Sequence, residues 1–221
     1  MTIRQFIRDD YPFRPGAGYS GDSFGLRNQY RIGSVYHPGQ DRSGNPSHII
    51  MPFDGRIDWS ITGGPWGSLL RIIPSGFTEA EIQVAHTLRY DGSRASHRGS
   101  YKQGDELPVY ASDIGLTDGA HTHTELVIKN TAKNYAYFRT DGGLIYDGDK
   151  IRDHAWIKSH CFAHKMDYQT VFQRLLMQIS AWGISEIWGS FCVRDTLPDY
   201  RTPHWGYGSV IIADTRRYLE L

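Results

Sequence analysis

The sequence predicts a mainly β protein, with an antiparallel β-sheet domain followed by a smaller α/β C-terminal extension. Short apolar runs separated by Gly, Pro, Asp and Asn fill residues 30–130. Several of these runs alternate apolar and polar residues, as half-buried strands do. One stretch with helical spacing follows at residues 167–182. At 221 residues the chain can form one large domain with an elaborated extension.

Five apolar runs predict the strands of the first part. They lie at residues 47–51, 56–61, 68–73, 81–86 and 123–128. The first leads into the turn at Asp54-Gly55, and the third stops at Pro74. Because Gly, Pro and Asp favour tight turns, these residues between the runs indicate that consecutive strands are antiparallel.

The second part contains one predicted helix and one further strand. The helical stretch carries apolar residues at Val171, Phe172, Leu175, Leu176, Ile179 and Trp182. Asp167 fits an N-cap and Gly183 fits a stop signal. Residues 209–213 predict a strand. The resulting division is a lead-in at 1–23, a main domain at 24–132 and an extension at 133–221, and we expect the extension to be dispensable for binding a metal.

Composition narrows the class of partner. Lys plus Arg and Asp plus Glu both number 24, so the net charge is zero and nucleic acid is not favoured as a partner. The first ten residues have no apolar segment of the secretory type, and no stretch has the length of a membrane span. We therefore expect no signal peptide and no membrane partner. The two cysteines, Cys161 and Cys192, are too few for a disulfide scaffold, and a single bridge between them stays open.

Two short histidine motifs predict a metal centre. His121 and His123 are two residues apart, so on a strand they point to one face together with Glu125. Far upstream, His37 and Asp41 flank a Pro38-Gly39 bend that lets their side chains converge. Imidazole and carboxylate are zinc ligands, and a catalytic zinc keeps three of them with one open position.

The order of these motifs resembles the lysostaphin-type (LytM-like) zinc metallopeptidases that cut peptidoglycan peptides. The resemblance covers residues 24–128, about half of the chain. The matching segments are Phe24-Gly25-Leu26-Arg27, His37-Pro38-Gly39-Gln40-Asp41, Phe53-Asp54-Gly55-Arg56-Ile57, Val84-Ala85-His86, Tyr101-Lys102-Gln103-Gly104-Asp105 and His121-Thr122-His123.

The resemblance implies a role for each histidine of the motifs. His37, Asp41 and His123 become the zinc ligands. His86 and His121 become catalytic histidines that do not bind the metal, and the sequence leaves open which of them takes a proton and which steadies the oxyanion. The chain departs from the family at two places. Thr122 and Thr124 stand where the family has an apolar and an aromatic residue, and the segment 89–99 is longer and more basic than usual. Both departures concern substrate preference.

The implied function is a zinc-dependent endopeptidase that cleaves peptide bonds of bacterial peptidoglycan and so degrades cell walls. We expect a bacteriophage lysin, found in the virion as a tail protein with possible tail-protein partners, or in the host cytoplasm before release. A free endolysin is the close variant. One alternative is a non-catalytic phage tail structural protein on the same scaffold, and another is a cytosolic metallohydrolase that acts on a different amide.

Several residues are assigned ordinary structural roles beside these. Glu125 is expected at the rim or in hydrogen-bonding support of the ligands, and His48 and His97 on surfaces or loops. Trp59, Trp66 and Tyr90 fit either a groove or the core. A second zinc site from His160, His164 and the two cysteines lacks a convincing fourth ligand.

Overall fold

An antiparallel sheet of eleven strands dominates the computed structural model. The structure describes residues 24–31, 34–43, 48–139, 144–147, 150–151, 154–195 and 208–214. The predicted lead-in at 1–23 lies outside these ranges. The prediction of a mainly β, antiparallel fold is confirmed.

Each of the five predicted runs forms a strand, among eleven described strands in the first part of the chain. They are β1 Gly25–Arg31, β2 Ser34–His37, β3 Gln40–Ser43, β4 His48–Ile50, β5 Gly55–Gly63, β6 Gly67–Pro74, β7 Ala80–Ala85, β8 Thr87–Arg89, β9 His97–Tyr101, β10 Glu106–Ala111 and β11 His121–Lys129. The second part contributes β12 Leu144–Asp147, β13 Lys150–Ile151, β14 Ile184–Trp188, β15 Phe191–Asp195 and β16 Ser209–Ala213. The helices are α1 Ala132–Arg139, α2 His154–Ala163 and α3 Tyr168–Trp182.

The large sheet runs without a break from the first part of the chain into the second. Its strand order is β13-β12-β14-β15-β16-β11-β7-β6-β5-β9, and β3 also pairs with β11. Strand β16 lies directly beside β11, with Leu126 opposite Ala213 and Lys129 opposite Val210. The boundary after residue 132 stays a prediction of where the family resemblance ends, since the sheet itself crosses it.

Two apolar layers cover the two faces of this sheet. One layer contains Trp59, Leu70, Ile82, Leu126, Val193 and Ile211. The other contains Val127, Cys192, Val210 and Ile212, packed against α2, α3 and the strand pair β1–β2. The alternation of Cys192 with Val193 and of Ile211 with Ile212 follows from the two-residue period of a strand.

Helix α3 begins and ends where the sequence predicts. The Asp167 carboxylate accepts a hydrogen bond from the Thr170 N–H, and Gly183 adopts the left-handed conformation at φ 64°. Its buried face carries Val171, Leu175, Gln178 and Ile179. The helical spacing of apolar residues also indicated that Leu176 lies on the packed face, and this was wrong, because Leu176 is 40% exposed while the polar Gln178 is buried.

No described helix is long and apolar enough to cross a membrane.

Candidate metal centre

Three strands bring the predicted ligands together. His37 is the last residue of β2, and the bend at Pro38 and Gly39 turns the chain into β3. Strand β3 pairs antiparallel with β11 so that Asp41 lies opposite His123. His37 and Asp41 are thereby both placed against one position of β11.

The ligand atoms of His37, Asp41 and His123 form a small triangle. His37 Nε2 is 2.9 Å from His123 Nδ1 and 3.1 Å from Asp41 Oδ1. His123 Nδ1 is 3.0 Å from the same carboxylate oxygen. Within the part of the chain that the structure describes, no other group of His, Cys, Asp and Glu converges in this way.

The triangle has the size and chemistry of a zinc site. Ligand bonds of about 2.0–2.1 Å in a tetrahedron separate neighbouring ligand atoms by about 3.3 Å. Separations of 2.9–3.1 Å are slightly tighter than this. Two imidazole nitrogens and one carboxylate oxygen are a donor set that zinc accepts, so the residues present fit the metal that the sequence motifs imply.

Gly39 leaves the space that the His123 ring occupies. A Cβ at position 39 would lie 2.6 Å from Cε1 of His123 and 2.8 Å from the backbone oxygen of Thr124. Any larger residue would therefore displace the ring or the strand. This contact gives a physical reason for glycine in the His37-Pro38-Gly39 bend.

The charges of the cluster are strongly coupled. Burial alone would raise the pKa of Asp41, but the neighbouring His37 and His123 outweigh it and hold that pKa well below its usual range. Burial lowers the pKa of His37. Burial would also lower the pKa of His123, but hydrogen bonds to Asp41 and Glu125 outweigh burial and raise it to about 9.

Glu125 contacts the predicted ligand His123 on the side of the ring away from Asp41. His123 Nε2 lies 3.2 Å from Glu125 Oε1. The Glu125 carboxylate accepts hydrogen bonds from Nη2 and Nη1 of Arg194, at 3.0 and 3.1 Å. Burial would raise the pKa of Glu125, but the charges of Arg194 and His123 lower it to about 2. The expected supporting role of Glu125 agrees with these contacts, whereas Arg194 carries no motif that could have pointed to it.

His86 lies beside the cluster in a strained conformation. It follows β7 with φ 60°, a left-handed value that costs a non-glycine residue roughly 1–3 kcal/mol. Its N–H donates to the Trp66 carbonyl at 3.2 Å, and its own carbonyl accepts from the Ser112 N–H at 2.7 Å. Because Nδ1 donates to the Ile114 carbonyl at 2.8 Å, Nε2 carries the lone pair of the neutral ring.

The two histidines predicted not to bind the metal, His86 and His121, are held in the same tautomer. His121 Nδ1 donates to the Gly119 carbonyl at 2.8 Å, which leaves Nε2 as the lone-pair nitrogen of its neutral ring. The rings of His86 and His121 lie 4.7 Å apart. Burial, with His123 and His121 nearby, lowers the pKa of His86 to about 4, so this imidazole is neutral at neutral pH.

All five predicted residues line one open cleft. The same cleft is lined by residues that the motif analysis did not assign to the site: Arg27, Pro65, Trp66, Leu116, Trp182 and Arg194. The Trp66 ring stands edge-on to His123 at a centroid distance of 5.5 Å. Arg27 belongs to the Phe24-Gly25-Leu26-Arg27 segment, so the resemblance was the one available signal for it.

The remaining candidates have structural roles. Trp59 is fully buried and donates from Nε1 to Thr87 Oγ1 at 3.0 Å. Tyr90 is 43% exposed and stacks on Tyr110. His97 contacts the Tyr101 hydroxyl at 2.9 Å, and the structure does not describe the side chain of His48.

The second histidine–cysteine group does not form a metal site. His160 Nε2 donates to the Arg27 carbonyl at 2.9 Å. Cys161 and Cys192 are free and buried in the layer under α3, so the bridge that the sequence left open is not formed. Among the described residues these side chains do not converge as metal ligands.

Comparison with known proteins finds likeness of fold only. No family model and no curated protein matches the chain. A mutant catalytic domain of the prophage-encoded protein EnpA from Enterococcus faecalis aligns over 53% of this chain and 88% of its own, with 20% identity and a TM-score of 0.40. A zinc-containing peptidase from Vibrio cholerae aligns over 53% of this chain and 36% of its own, with 17% identity and a TM-score of 0.38. The solution structure of lysostaphin aligns over 52% of this chain and 46% of its own, with 16% identity and a TM-score of 0.37.

This chain thus spans less than half of the Vibrio peptidase and of lysostaphin. The resemblance to lysostaphin-type peptidases therefore rests on the sequence motifs.

Proposed function

We propose that this protein is a zinc-dependent endopeptidase that cleaves peptide bonds of bacterial peptidoglycan. One observation carries the proposal. The ligand atoms of His37, Asp41 and His123 converge to within 3.1 Å of one another, and two further histidines stand beside them without joining the triangle. Three ligands with an open side and adjacent proton-handling groups are what a hydrolytic zinc site requires.

Zinc at this site would supply Lewis acidity, which polarises a peptide carbonyl and allows water to give up a proton near neutral pH. His37, Asp41 and His123 would hold it. The other chemistry belongs to the side chains of the chain itself.

His86 and His121 suit proton transfer because their tautomers are fixed. Each ring donates Nδ1–H to a backbone carbonyl, so each presents Nε2 as an acceptor when neutral. One of them can take the proton of the attacking water, and the other, once protonated, can steady the oxyanion or protonate the leaving amine. The low pKa of His86 keeps its ring neutral at neutral pH and also makes it a weaker base than a free imidazole.

The open cleft suits a chain substrate. Trp66, Pro65 and Leu116 give it an apolar wall beside the histidines. The choice of a peptidoglycan peptide rests on the sequence motifs, which are those of peptidases that cut such peptides. The bond that is cleaved follows from none of these features and is an outcome of the experiment.

The test is digestion of defined cell walls by purified protein, with the new termini identified by mass spectrometry. Zinc-loaded protein should release peptide fragments with new amino termini, and protein stripped of metal should release none until zinc is restored. The proposal fails if zinc-loaded, folded protein leaves the wall peptides intact. Zinc binding without cleavage of wall peptides would favour the alternative of a hydrolase that acts on a different amide. Absence of both zinc binding and cleavage would favour the non-catalytic tail protein.

A role as a phage lysin carried in the virion tail stays a prediction from the sequence. Purified virions from an infected host should contain the chain if it is virion-associated. Its presence only in the lysate would favour the free endolysin.

A further inference from the structure

A buried ion pair joins strand β15, in the second part of the chain, to strand β11, which carries His123 of the predicted metal site. Arg194 Nη2 donates to Glu125 Oε1 at 3.0 Å, and Arg194 Nη1 donates to Glu125 Oε2 at 3.1 Å. The two residues are 69 positions apart in sequence. The Glu125 side chain has no exposed surface, and that of Arg194 is 2% exposed.

The pair continues directly into the metal site. Glu125 Oε1 also lies 3.2 Å from His123 Nε2, while the other ring nitrogen of His123 faces Asp41 and His37. The order of contacts is Arg194, Glu125, His123 and then the ligand triangle. A guanidinium on the second part of the chain is thus two hydrogen bonds from the ring of a predicted ligand residue, His123.

We propose that Arg194 is a positioning residue for the metal centre, acting through Glu125 to fix the ring of His123. The proposal rests on the zinc site of the proposed function, although not on peptidase activity. It also replaces the expectation that residues after 133 are dispensable for metal binding.

The physical reason lies in how an imidazole ligand is held. A metal-binding ring usually donates its other N–H to a carboxylate, which fixes the tautomer and orientation and strengthens the ligand. A carboxylate without exposed surface is costly unless a cation pairs with it. The two parallel hydrogen bonds from Arg194 supply that cation and also fix the plane of the carboxylate, which a lysine ammonium would not do.

The rival explanation is that the ion pair only joins strands of the sheet. The chain offers a control for this. Arg71 on β6 binds Glu81 on β7 through both carboxylate oxygens, with Nε donating to Oε1 at 2.9 Å and Nη2 donating to Oε2 at 2.5 Å. Glu81 has no exposed surface, and neither residue lines the cleft.

The experiment measures zinc affinity of the full chain by competition with a chelator. The variants are Arg194→Met, Arg194→Lys and Glu125→Gln, with Arg71→Met as the control. We expect Arg194→Met and Glu125→Gln to lower zinc affinity by about 10- to 100-fold, the usual effect of losing a hydrogen-bonding partner of a ligand. Arg194→Lys should lie between them and the wild type, and Arg71→Met should bind zinc as the wild type does.

A spectroscopic measurement separates positioning from loss of stability. Cobalt-substituted protein should show a shifted visible absorption spectrum in Arg194→Lys and Glu125→Gln, and an unshifted one in Arg71→Met. Should Arg194→Met fail to fold, the two milder variants still decide the matter. Wild-type zinc affinity and an unshifted cobalt spectrum in the folded Arg194 and Glu125 variants would overturn the proposal, as would equal losses in the Arg71→Met control.

The same data distinguish this proposal from the proposed function. A wild-type chain that binds zinc but does not cleave cell walls removes the peptidase assignment and leaves the positioning role supported by the affinity series. A wild-type chain that binds no zinc removes both.

Discussion

The side-chain amide of Gln178 binds the backbone of Tyr36 as a neighbouring strand would. Its Oε1 accepts the Tyr36 N–H at 3.0 Å, and its Nε2 donates to the Tyr36 carbonyl. The same Oε1 accepts the N–H of Val35 at 3.0 Å. Because His37 is the next residue, helix α3 holds the strand end that presents one of the predicted ligands.

Replacing Gln178 with Met should lower the stability of the protein. Two backbone N–H groups and one carbonyl would lose this partner in a site that is 6% exposed. A buried polar group left unsatisfied costs about 1–3 kcal/mol, so we expect a loss of at least that size in the free energy of unfolding. Denaturant unfolding measures it.

Gln173→Met is the matched control, since Gln173 is exposed on the same helix. It should change the free energy of unfolding by less than about 0.5 kcal/mol, as surface substitutions usually do. Equal losses in the two variants would show that the backbone contacts of Gln178 do not stabilise the strand pair.

The three ligand residues should each be needed for metal binding. We expect one zinc per chain in the purified wild type and a large loss of zinc in His37→Ala, Asp41→Ala and His123→Ala. The reason is that each side chain supplies one corner of the triangle, whose edges are 2.9–3.1 Å. Elemental analysis after gel filtration measures the content. A variant that keeps a full equivalent of zinc would show that its residue is not a ligand.

His86→Ala and His121→Ala should keep the metal and lose most of the activity. Neither ring contributes an edge of the ligand triangle, and both have Nδ1 engaged with a backbone carbonyl. Removal of a general acid or base usually lowers the rate by about 10²–10⁴-fold. Zinc content and wall hydrolysis should be measured on the same preparations. Loss of zinc in either variant would mean that ligand and proton carrier are assigned the wrong way round.

Local sequence patterns predicted where the strands and helices lie better than they predicted which strands pair with each other. The two-residue period predicted strands such as β5 and β7, and Asp167 and Gly183 predicted both ends of α3. The pairing of β16 with β11 was not predictable, because the register of distant strands depends on long-range packing that no local pattern encodes. For the same reason the second part of the chain was interpreted as an extension and not as part of the sheet.

In the site, too, residues within local motifs were predictable and residues brought in by long-range pairing were not. His37, Asp41, His86, His121 and His123 were found because their motif spacing resembles a known family. Arg194 stands in an apolar run, Phe191 to Asp195, and only the folded sheet brings it to Glu125. Gln178 was missed because helical periodicity considers apolar residues, whereas a buried amide that bonds a backbone gives no periodic signal.

The acid limit of activity should follow release of the metal and not protonation of His86. Burial and the neighbouring His123 and His121 lower the pKa of His86 to about 4, so this base stays neutral as the pH falls from 7 to 5. Imidazole ligands must be unprotonated to bind zinc, and protons therefore compete with the metal in that range. Raising the free zinc concentration should move the acid limb of the pH–rate profile to lower pH. If the acid limb does not move with the zinc concentration, the loss of activity is due to protonation of a proton-transfer group.

Gly39→Ala should weaken zinc binding although position 39 supplies no ligand. The added Cβ would lie 2.6 and 2.7 Å from two ring atoms of His123, closer than real contacts allow, so the ring must move. Gly189→Ala is the control, because a Cβ there meets nothing within 4 Å. We expect a fall in zinc affinity of roughly tenfold or more in Gly39→Ala, the scale of other disturbances to a ligand's orientation, and wild-type affinity in Gly189→Ala. Chelator competition on the folded variants measures both, and unchanged affinity in Gly39→Ala would mean that the His123 ring does not need the space that glycine leaves.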